Sequence, residues 1–133
     1  MGSKAFKQRL DEFLRGRECA GCTQEEIESL SRRHDVTFPA DYRQFLLQAG
    51  KGADGLWRGS HYEFDSLDGM QLAAVKLLAA DGLTLPPKSF VFYMHQGYQF
   101  FYMCDDGVFY FLEGNAMVER SHSTFEEFFD SFF

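Results

Sequence analysis

One stretch, residues 38–57, constrains the fold more than any other part of the 133-residue chain. Pro39 has no amide hydrogen and a φ fixed near the helical value, so it suits the first turn of a helix. The apolar residues that then recur on one helical face are Phe38, Tyr42, Phe45, Leu46 and Ala49. Gly50 stands where a left-handed C-cap residue is expected, and a glycine-rich turn leads to Trp57, the only tryptophan. The stretch predicts a helix, a turn and a strand entered at Trp57, on which the other elements pack.

Further helices are predicted on both sides of this unit. An amphipathic face spans residues 6–14, and a second helix follows a capping box in which Thr23 and Glu26 satisfy free amide hydrogens reciprocally. Residues 70–78 return to helical spacing. A second capping signature begins at Ser123 and opens a phenylalanine-rich closing helix.

Strand patterns fill the region between the helices. Residues 90–95, 98–103 and 108–112 are rich in aromatic and branched side chains and are separated by turns that contain Gly97 and Gly107. Three shorter strands are expected at residues 56–58, 61–64 and 117–119. Early helices, an antiparallel meander and a closing helix predict an α+β fold, with a mostly antiparallel sheet of five to six strands and helices packed against it.

The meander does not alternate between apolar and polar residues, as a sheet with one solvated face does. Either helices cover both faces, or one face keeps an aromatic surface for a partner. Tyrosine tolerates water and is enriched in interfaces, so the tyrosine-bearing residues are the candidates for such a surface. They are Tyr93, His95, Tyr98, Tyr102 and Tyr110. Burial of most of them in an ordinary core is the alternative.

Charge divides the chain into two halves. The whole chain carries 13 basic and 20 acidic residues, a net charge of −7. Residues 1–58 hold 10 basic and 9 acidic side chains, whereas residues 59–133 hold 3 and 11. This balance argues against nucleic acid, which needs a basic surface, and permits a basic protein partner attracted over long range. Plain solubility is the alternative.

Without a membrane-span or signal-peptide pattern, we expect no membrane partner and a cytoplasmic location.

Two cysteines raise the question of metal or redox chemistry. Cys19 and Cys22 form half of a zinc site or a dithiol motif, but the histidines and Cys104 do not supply a second pair. A redox dithiol usually follows a strand, whereas this pair follows a helix. Cys22 precedes the second predicted helix, a position that permits some lowering of its pKa. We interpret both as incidental thiols and expect no metal and no cofactor.

No catalytic motif stands out. The nucleophile elbow, the phosphate-binding loop and the dinucleotide glycine pattern are absent from the sequence. Glu63 and Asp65 alternate with Phe64, which would put both carboxylates on one face of a strand. Paired carboxylates can do acid–base work, but a solvated sheet edge is the preferred interpretation. We therefore expect a protein that is not an enzyme.

The ordered motifs resemble the SUKH superfamily. The resemblance rests on Phe-Pro-x-Asp-Tyr-Arg-x-Phe-Leu at residues 38–46, Gly-Leu-Trp at 55–57 and Ser-Thr-Phe-Glu-Glu-Phe at 123–128. Phe38 and Ala49 depart from the Leu and Asn that family members commonly have. The resemblance covers roughly residues 20–133 of a single domain, residues 1–133, and leaves residues 1–19 as an amino-terminal helix extension.

The resemblance implies a non-enzymatic interaction module. Such domains are associated with bacterial immunity to polymorphic toxins, often nucleases or deaminases, and with fungal cell-wall regulators. The leading hypothesis is an immunity protein that binds and neutralises a basic toxin domain. The candidate partner-binding residues are Trp57, Tyr62, Glu63, Asp65, Tyr93, Tyr98, Tyr102 and Tyr110. The alternatives are a small metal- or redox-active protein that uses Cys19 and Cys22, and a scaffold regulator in a larger pathway.

Overall fold

The computed structural model describes residues 2–114 and 118–132, with Ser3 described by its backbone only. Five helices are present in this part of the chain: α1 (Gly2–Leu14), α2 (Gln24–His34), α3 (Ala40–Ala49), α4 (Phe64–Ala80) and α5 (Phe125–Asp130). The strands are β1 (Cys19–Ala20), β2 (Gly52–Ala53), β3 (Ser60–His61), β4 (Phe90–His95), β5 (Gln99–Cys104), β6 (Gly107–Leu112) and β7 (Val118–His122). The predicted strand at 117–119 corresponds to the start of β7, and Met117 lies outside the described residues.

The main sheet has five antiparallel strands in the order β3-β4-β5-β6-β7, and β1 and β2 form a separate antiparallel pair. The predicted α+β fold is therefore confirmed. Two bulges interrupt the main sheet: one in β4, where Phe92 lies between Val91 and Tyr93, and one in β7 at Ser121, opposite Val108 and Phe109 of β6. The β4 bulge brings Tyr93 opposite Phe101, so Tyr93 shares a face with Phe92 instead of alternating with it.

Helices lie on both faces of the sheet. On one face, Phe92 contacts Phe125 and Phe128 of α5, with ring centroids 5.4 and 5.0 Å apart. Helix α3 contacts the same face through Tyr42, whose ring lies 5.9 Å from Phe92, and α1 packs against α3 and, through Phe6, against α5. The opposite face carries Phe100, Tyr102 and Phe111, and all three are buried. Helix α2 approaches the first face through His34, whose ring lies 5.6 Å from Phe90. Helix α4, which packs along β4, is then the helix left to cover the second face.

Local capping signals explain the starts of two helices, α2 and α5. In the predicted capping box, the Glu26 amide donates to Thr23 Oγ1 over 3.1 Å and the Thr23 amide donates to Glu26 Oε1 over 2.9 Å. Helix α5 is capped twice, because Glu127 N donates to Thr124 Oγ1 and Glu126 N donates to Asp41 Oδ2. Asp41 belongs to α3, so this second cap also fixes α5 against α3.

Three local predictions are wrong. Gly50 is right-handed, with φ −63°, and glycine is needed there for space: a Cβ would lie 2.7 Å from Cys22 Sγ. Trp57 does not enter a strand but sits in a turn with φ +47°. The predicted strand at 61–64 is cut short, since β3 ends at His61 and Phe64 begins α4.

Candidate protein-interaction surface

Trp57 is a core residue in this structure. Its ring lies 5.1 Å from Tyr62, 5.6 Å from Phe45 and 5.7 Å from Phe129, and only 8% of the residue is exposed. A left-handed φ is rare for a bulky residue, and here the surrounding rings hold the strained turn in place. Trp57 therefore supports the surface from below and does not contact solvent broadly.

Tyr62 is also structural. Its buried hydroxyl accepts a hydrogen bond from Ala53 N over 2.9 Å, which ties β2 to the segment before α4. Burial raises the pKa of the Tyr62 phenol, although the bond from Ala53 N acts in the opposite direction, so the phenol stays neutral near pH 7.

Glu63 and Asp65 do not share a strand face, which corrects the prediction. Glu63 is the N-cap residue of α4 and makes no side-chain cap bond, and Asp65 lies in the first helical turn. The two carboxylates belong to the helix that covers the second face of the sheet.

The four tyrosines and His95 of the proposed surface are divided among different environments. Tyr102 points to the α4 side, where its ring stacks 5.3 Å from Phe109 and burial raises its pKa. Tyr93 is buried, and its hydroxyl is linked to His95 through Ser60 Oγ, with oxygen–oxygen and oxygen–nitrogen distances of 2.9 and 2.8 Å. Tyr98 is exposed in the β4–β5 turn. The single tyrosine face expected from alternation therefore does not exist, because the β4 bulge and the strand register separate its members.

Three rings form a surface that we call the aromatic patch: Phe101, Tyr110 and Phe132. Phe101 and Tyr110 are direct neighbours on β5 and β6, 5.0 Å apart and half-buried. Phe132 is 43% exposed and packs 5.1 Å from Phe128, which in turn lies 4.8 Å from Phe101. The short helix α5 thus leaves part of its sheet face open.

Of the patch residues, only Tyr110 is among the site residues proposed from the sequence. The sequence does not predict Phe101 as a site residue, because its face depends on the register of β5 against β6. It does not predict Phe132 either, because the length of α5 decides whether that ring is covered. The one available signal was the composition of the meander, which has more rings than a sheet with a single covered face requires.

A carboxylate borders the aromatic patch. Glu119 on β7 is the direct cross-strand neighbour of Tyr110 and is exposed. Arg120 follows it but pairs with Phe109 on the other face of the sheet and donates to the Asp106 carbonyl. Arg9, on α1, is held by Glu126 and Asp130 of α5. Among the described residues the patch therefore combines one exposed and two half-buried rings with an acidic group that has no ion-pair partner.

A groove of about 730 Å³ opens elsewhere, between the α2–α3 linker and the β5–β6 turn. Asp35 and Lys88 form an ion pair of 2.7 Å at its lip, and Asp41 lies in its wall. Burial raises the pKa of Asp41, although the amides of Tyr42 and Glu126 donate to it. The hydrogen bonds described for Asp41 go to backbone amides at the starts of α3 and α5, so its role in the groove wall is structural.

The thiols differ from the expectation in one respect. Cys19 is exposed on β1, whereas Cys22 is buried, and the loss of solvent, aided by the Glu26 carboxylate, raises its pKa to about 11. The prediction that the position before α2 could lower the pKa of Cys22 is therefore wrong. Within residues 2–114 and 118–132, no three His, Cys, Asp or Glu side chains are grouped so that they could share a metal ion.

Fold and surface together define an α+β domain with an acid-bordered aromatic patch on an incompletely covered sheet. The chain belongs to the SMI1 / KNR4 family (SUKH-1), whose family model matches residues 21–131. No curated protein matches it. None of its described helices combines the length and apolar character needed to cross a membrane.

Proposed function

We propose that this chain is a non-enzymatic immunity protein that binds a basic toxin domain and neutralises it by covering its working surface. The observation that carries the proposal is the aromatic patch beside Glu119, on a domain of the SUKH-1 family. Exposed aromatic rings are the side chains most often found as anchors in protein interfaces. The toxin would be a nuclease or deaminase, whose substrate phosphates require a basic surface.

Neutralisation by occlusion needs geometry and charge but no chemistry. The net charge of −7, concentrated in residues 59–133, would speed the encounter with a positively charged domain. Phe101, Tyr110 and Phe132 would then be desolvated at the centre of the interface, while Glu119 would pair with Lys or Arg at its border. Rigid support comes from the rings beneath, because Tyr93 and Phe128 hold Phe101 at 5.5 and 4.8 Å.

The other two hypotheses receive less support. A pKa of about 11 leaves Cys22 almost entirely as the neutral thiol near pH 7, which is the unreactive form. A scaffold regulator would use the same kind of surface, and it differs from an immunity protein only in the partner bound.

The test measures binding to the toxin domain encoded in the neighbouring reading frame. Stopped-flow and surface-based methods give the association and dissociation rates. Tyr110→Ala and Phe132→Ala should each raise the dissociation rate by about tenfold or more, because truncation of a central anchor costs about 2 kcal/mol or more. Leu72→Ala, which removes an exposed apolar side chain on the opposite side of the sheet, is the matched control and should leave the rate unchanged.

Charge is tested separately. Glu119→Gln should slow association and weaken its dependence on salt, since surface charges are screened beyond ~8 Å at physiological ionic strength. Glu28→Gln, an exposed change on α2, is its control. All variants must keep the wild-type melting temperature. Absence of a basic toxin in the neighbouring frame, or equal kinetics for patch and control variants, would contradict the proposal.

A further inference from the structure

The outer face of α4 carries a regularly spaced set of exposed residues. Its inner face buries Leu67, Met70, Ala74 and Leu78. On the outer face, Asp65, Gly69, Leu72 and Lys76 follow one another at intervals of four, three and four residues, and all four are exposed. Such spacing keeps residues on one line along a helix and is the spacing of helices that pair lengthwise. We call these four residues the α4 seam.

Contacts within the described chain explain neither the exposure of Leu72 nor the presence of glycine at position 69. Leu72 is 69% exposed, the largest value among the exposed large apolar residues of the described chain, and Val75 beside it is 52% exposed. Gly69 lies inside the helix, where glycine costs about 1 kcal/mol relative to alanine. A Cβ at Gly69 would meet nothing within 4 Å, so no contact inside the chain requires glycine there.

The ends of the seam carry opposite charges. Neither Asp65 nor Lys76 makes an ion pair with any described residue. The neighbouring acid Asp68 differs, because two α2 side chains already pair with it. Lys51 acts on Asp65 only over a longer distance and is itself paired with Glu26 at 2.7 Å. The seam thus offers one free carboxylate and one free ammonium group, eleven positions apart.

We propose that a second copy of this chain docks on α4, with the two seams packed antiparallel. The spacing of the seam reads the same in both directions. A two-fold axis midway between residues 70 and 71 therefore sets Asp65 of each chain against Lys76 of the other and Leu72 of each against Gly69 of the other. The missing side chain at Gly69 makes room for Leu72, and the charges become two symmetric ion pairs.

This dimer goes beyond the proposed function and is compatible with it. Helix α4 covers the sheet face opposite to α5, so the aromatic patches of both copies remain open. A single pair of four-residue seams buries less than the ~1,600 Å² of a standard interface. The association is accordingly weak, with a dissociation constant in the micromolar range or above.

Sedimentation equilibrium of the full chain, from about 1 µM to about 1 mM, spans the range in which such a dimer forms. The apparent mass should rise with concentration from 15.4 kDa towards twice that value. Leu72→Gln should raise the dissociation constant by at least about tenfold. Phe132→Gln, an exposed apolar residue in the aromatic patch, is the matched control and should leave the dissociation constant unchanged.

Charge reversal identifies the antiparallel register. Lys76→Glu and Asp65→Lys should each abolish the dimer, because each places like charges together at both ends of the seam. An equimolar mixture of the two variants should dimerise again, since the mixed pair has opposite charges at both ends. Circular dichroism checks that each variant is folded. A monomer at all concentrations, a dimer that Leu72→Gln leaves intact, or a mixture that stays monomeric would overturn the proposal.

Discussion

Cys22 lies immediately before α2, where helix amides would favour a thiolate. Its side chain instead turns inward against Gly50 and is only 5% exposed. Loss of solvent disfavours the charged form, so the pKa rises from 9.0 to about 11. The folded state then holds its thiol proton more tightly than the unfolded chain does. This contribution to stability is present below pH 9 and is lost as the pH rises towards 11.

We predict that alkylation distinguishes the two amino-terminal thiols. At pH 8 about one Cys22 side chain in a thousand is a thiolate, and the thiol is also shielded, so iodoacetamide should modify it about 100-fold more slowly than exposed Cys19. Time-resolved peptide mass mapping measures both rates. In denaturant the two rates should converge, which controls for intrinsic reactivity. Equal rates in the folded protein would show that Cys22 is not buried as described.

The backbone conformation and burial of Trp57 show the limit of prediction from neighbouring residues. Tryptophan after a glycine turn is typical of a strand, and β-propensity supports that prediction. Its φ of +47° results from contacts made by distant rings, among them Phe45 and Phe129. Such long-range packing has no local signature, so neither the turn nor the burial of Trp57 could be predicted from its neighbours.

At the scale of elements, β4 has an edge that its neighbour does not cover. Strand β3 is two residues long and pairs only with Met94 and His95. Further along β4, the side chain of Gln71 on α4 takes the place of a strand: its Oε1 accepts from Val91 N over 2.8 Å, and its Nε2 donates to Val91 O over 2.6 Å. One amide therefore satisfies both polar groups of a buried edge residue and anchors α4 to the sheet.

Gln71→Ala should lower the free energy of unfolding by about 2 kcal/mol or more, because it leaves a buried N–H and a buried C=O without partners. Chemical denaturation measures the loss. Gln44→Ala is the matched control: Gln44 is also a helical glutamine, but its amide donates only to another side chain, Gln48. We expect a change below about 0.5 kcal/mol there. A loss no greater than that of the control would mean that water replaces the Gln71 amide at the edge.

The elements differ in how well the sequence predicts them. Helices α2 and α5 are predictable because their capping residues lie within four positions of each other, and the hairpins are predictable because Gly97 and Gly107 mark their turns.

The start of α4 is not predicted because Glu63 caps it without a side-chain bond, so the local signal is absent. The bulge at Val91–Tyr93 was also missed, and with it the faces of the candidate tyrosines. The candidate surface depends on such register details, which explains why the sequence predicts only Tyr110 of the aromatic patch.

For the whole molecule, α1 joins the amino-terminal and carboxyl-terminal parts of the chain. The family match begins at residue 21, yet Phe6 of α1 is fully buried and packs 5.5 Å from Phe129 of α5. Arg9 adds ion pairs to Glu126 and Asp130 on the exposed side, which contribute little by themselves. Phe45 of α3 lies 6.0 Å from the same Phe129 ring. One aromatic core therefore includes residues of α1, α3 and α5.

This continuity predicts that α1 unfolds together with the rest of the domain and not as a separate extension. Phe6→Ala and Phe45→Ala should each reduce the free energy of unfolding by about 3–5 kcal/mol, the usual cost of removing a buried phenylalanine ring. Phe132→Ala, which truncates a ring that is 43% exposed, should cost less than about 1 kcal/mol and serves as the control. In every variant, helix content by far-ultraviolet circular dichroism and Trp57 fluorescence should report one transition at the same denaturant concentration. A Phe6→Ala protein that keeps the wild-type Trp57 transition while losing helix content earlier would show that α1 is an independent appendage, and that residues 20–133 hold the core without it.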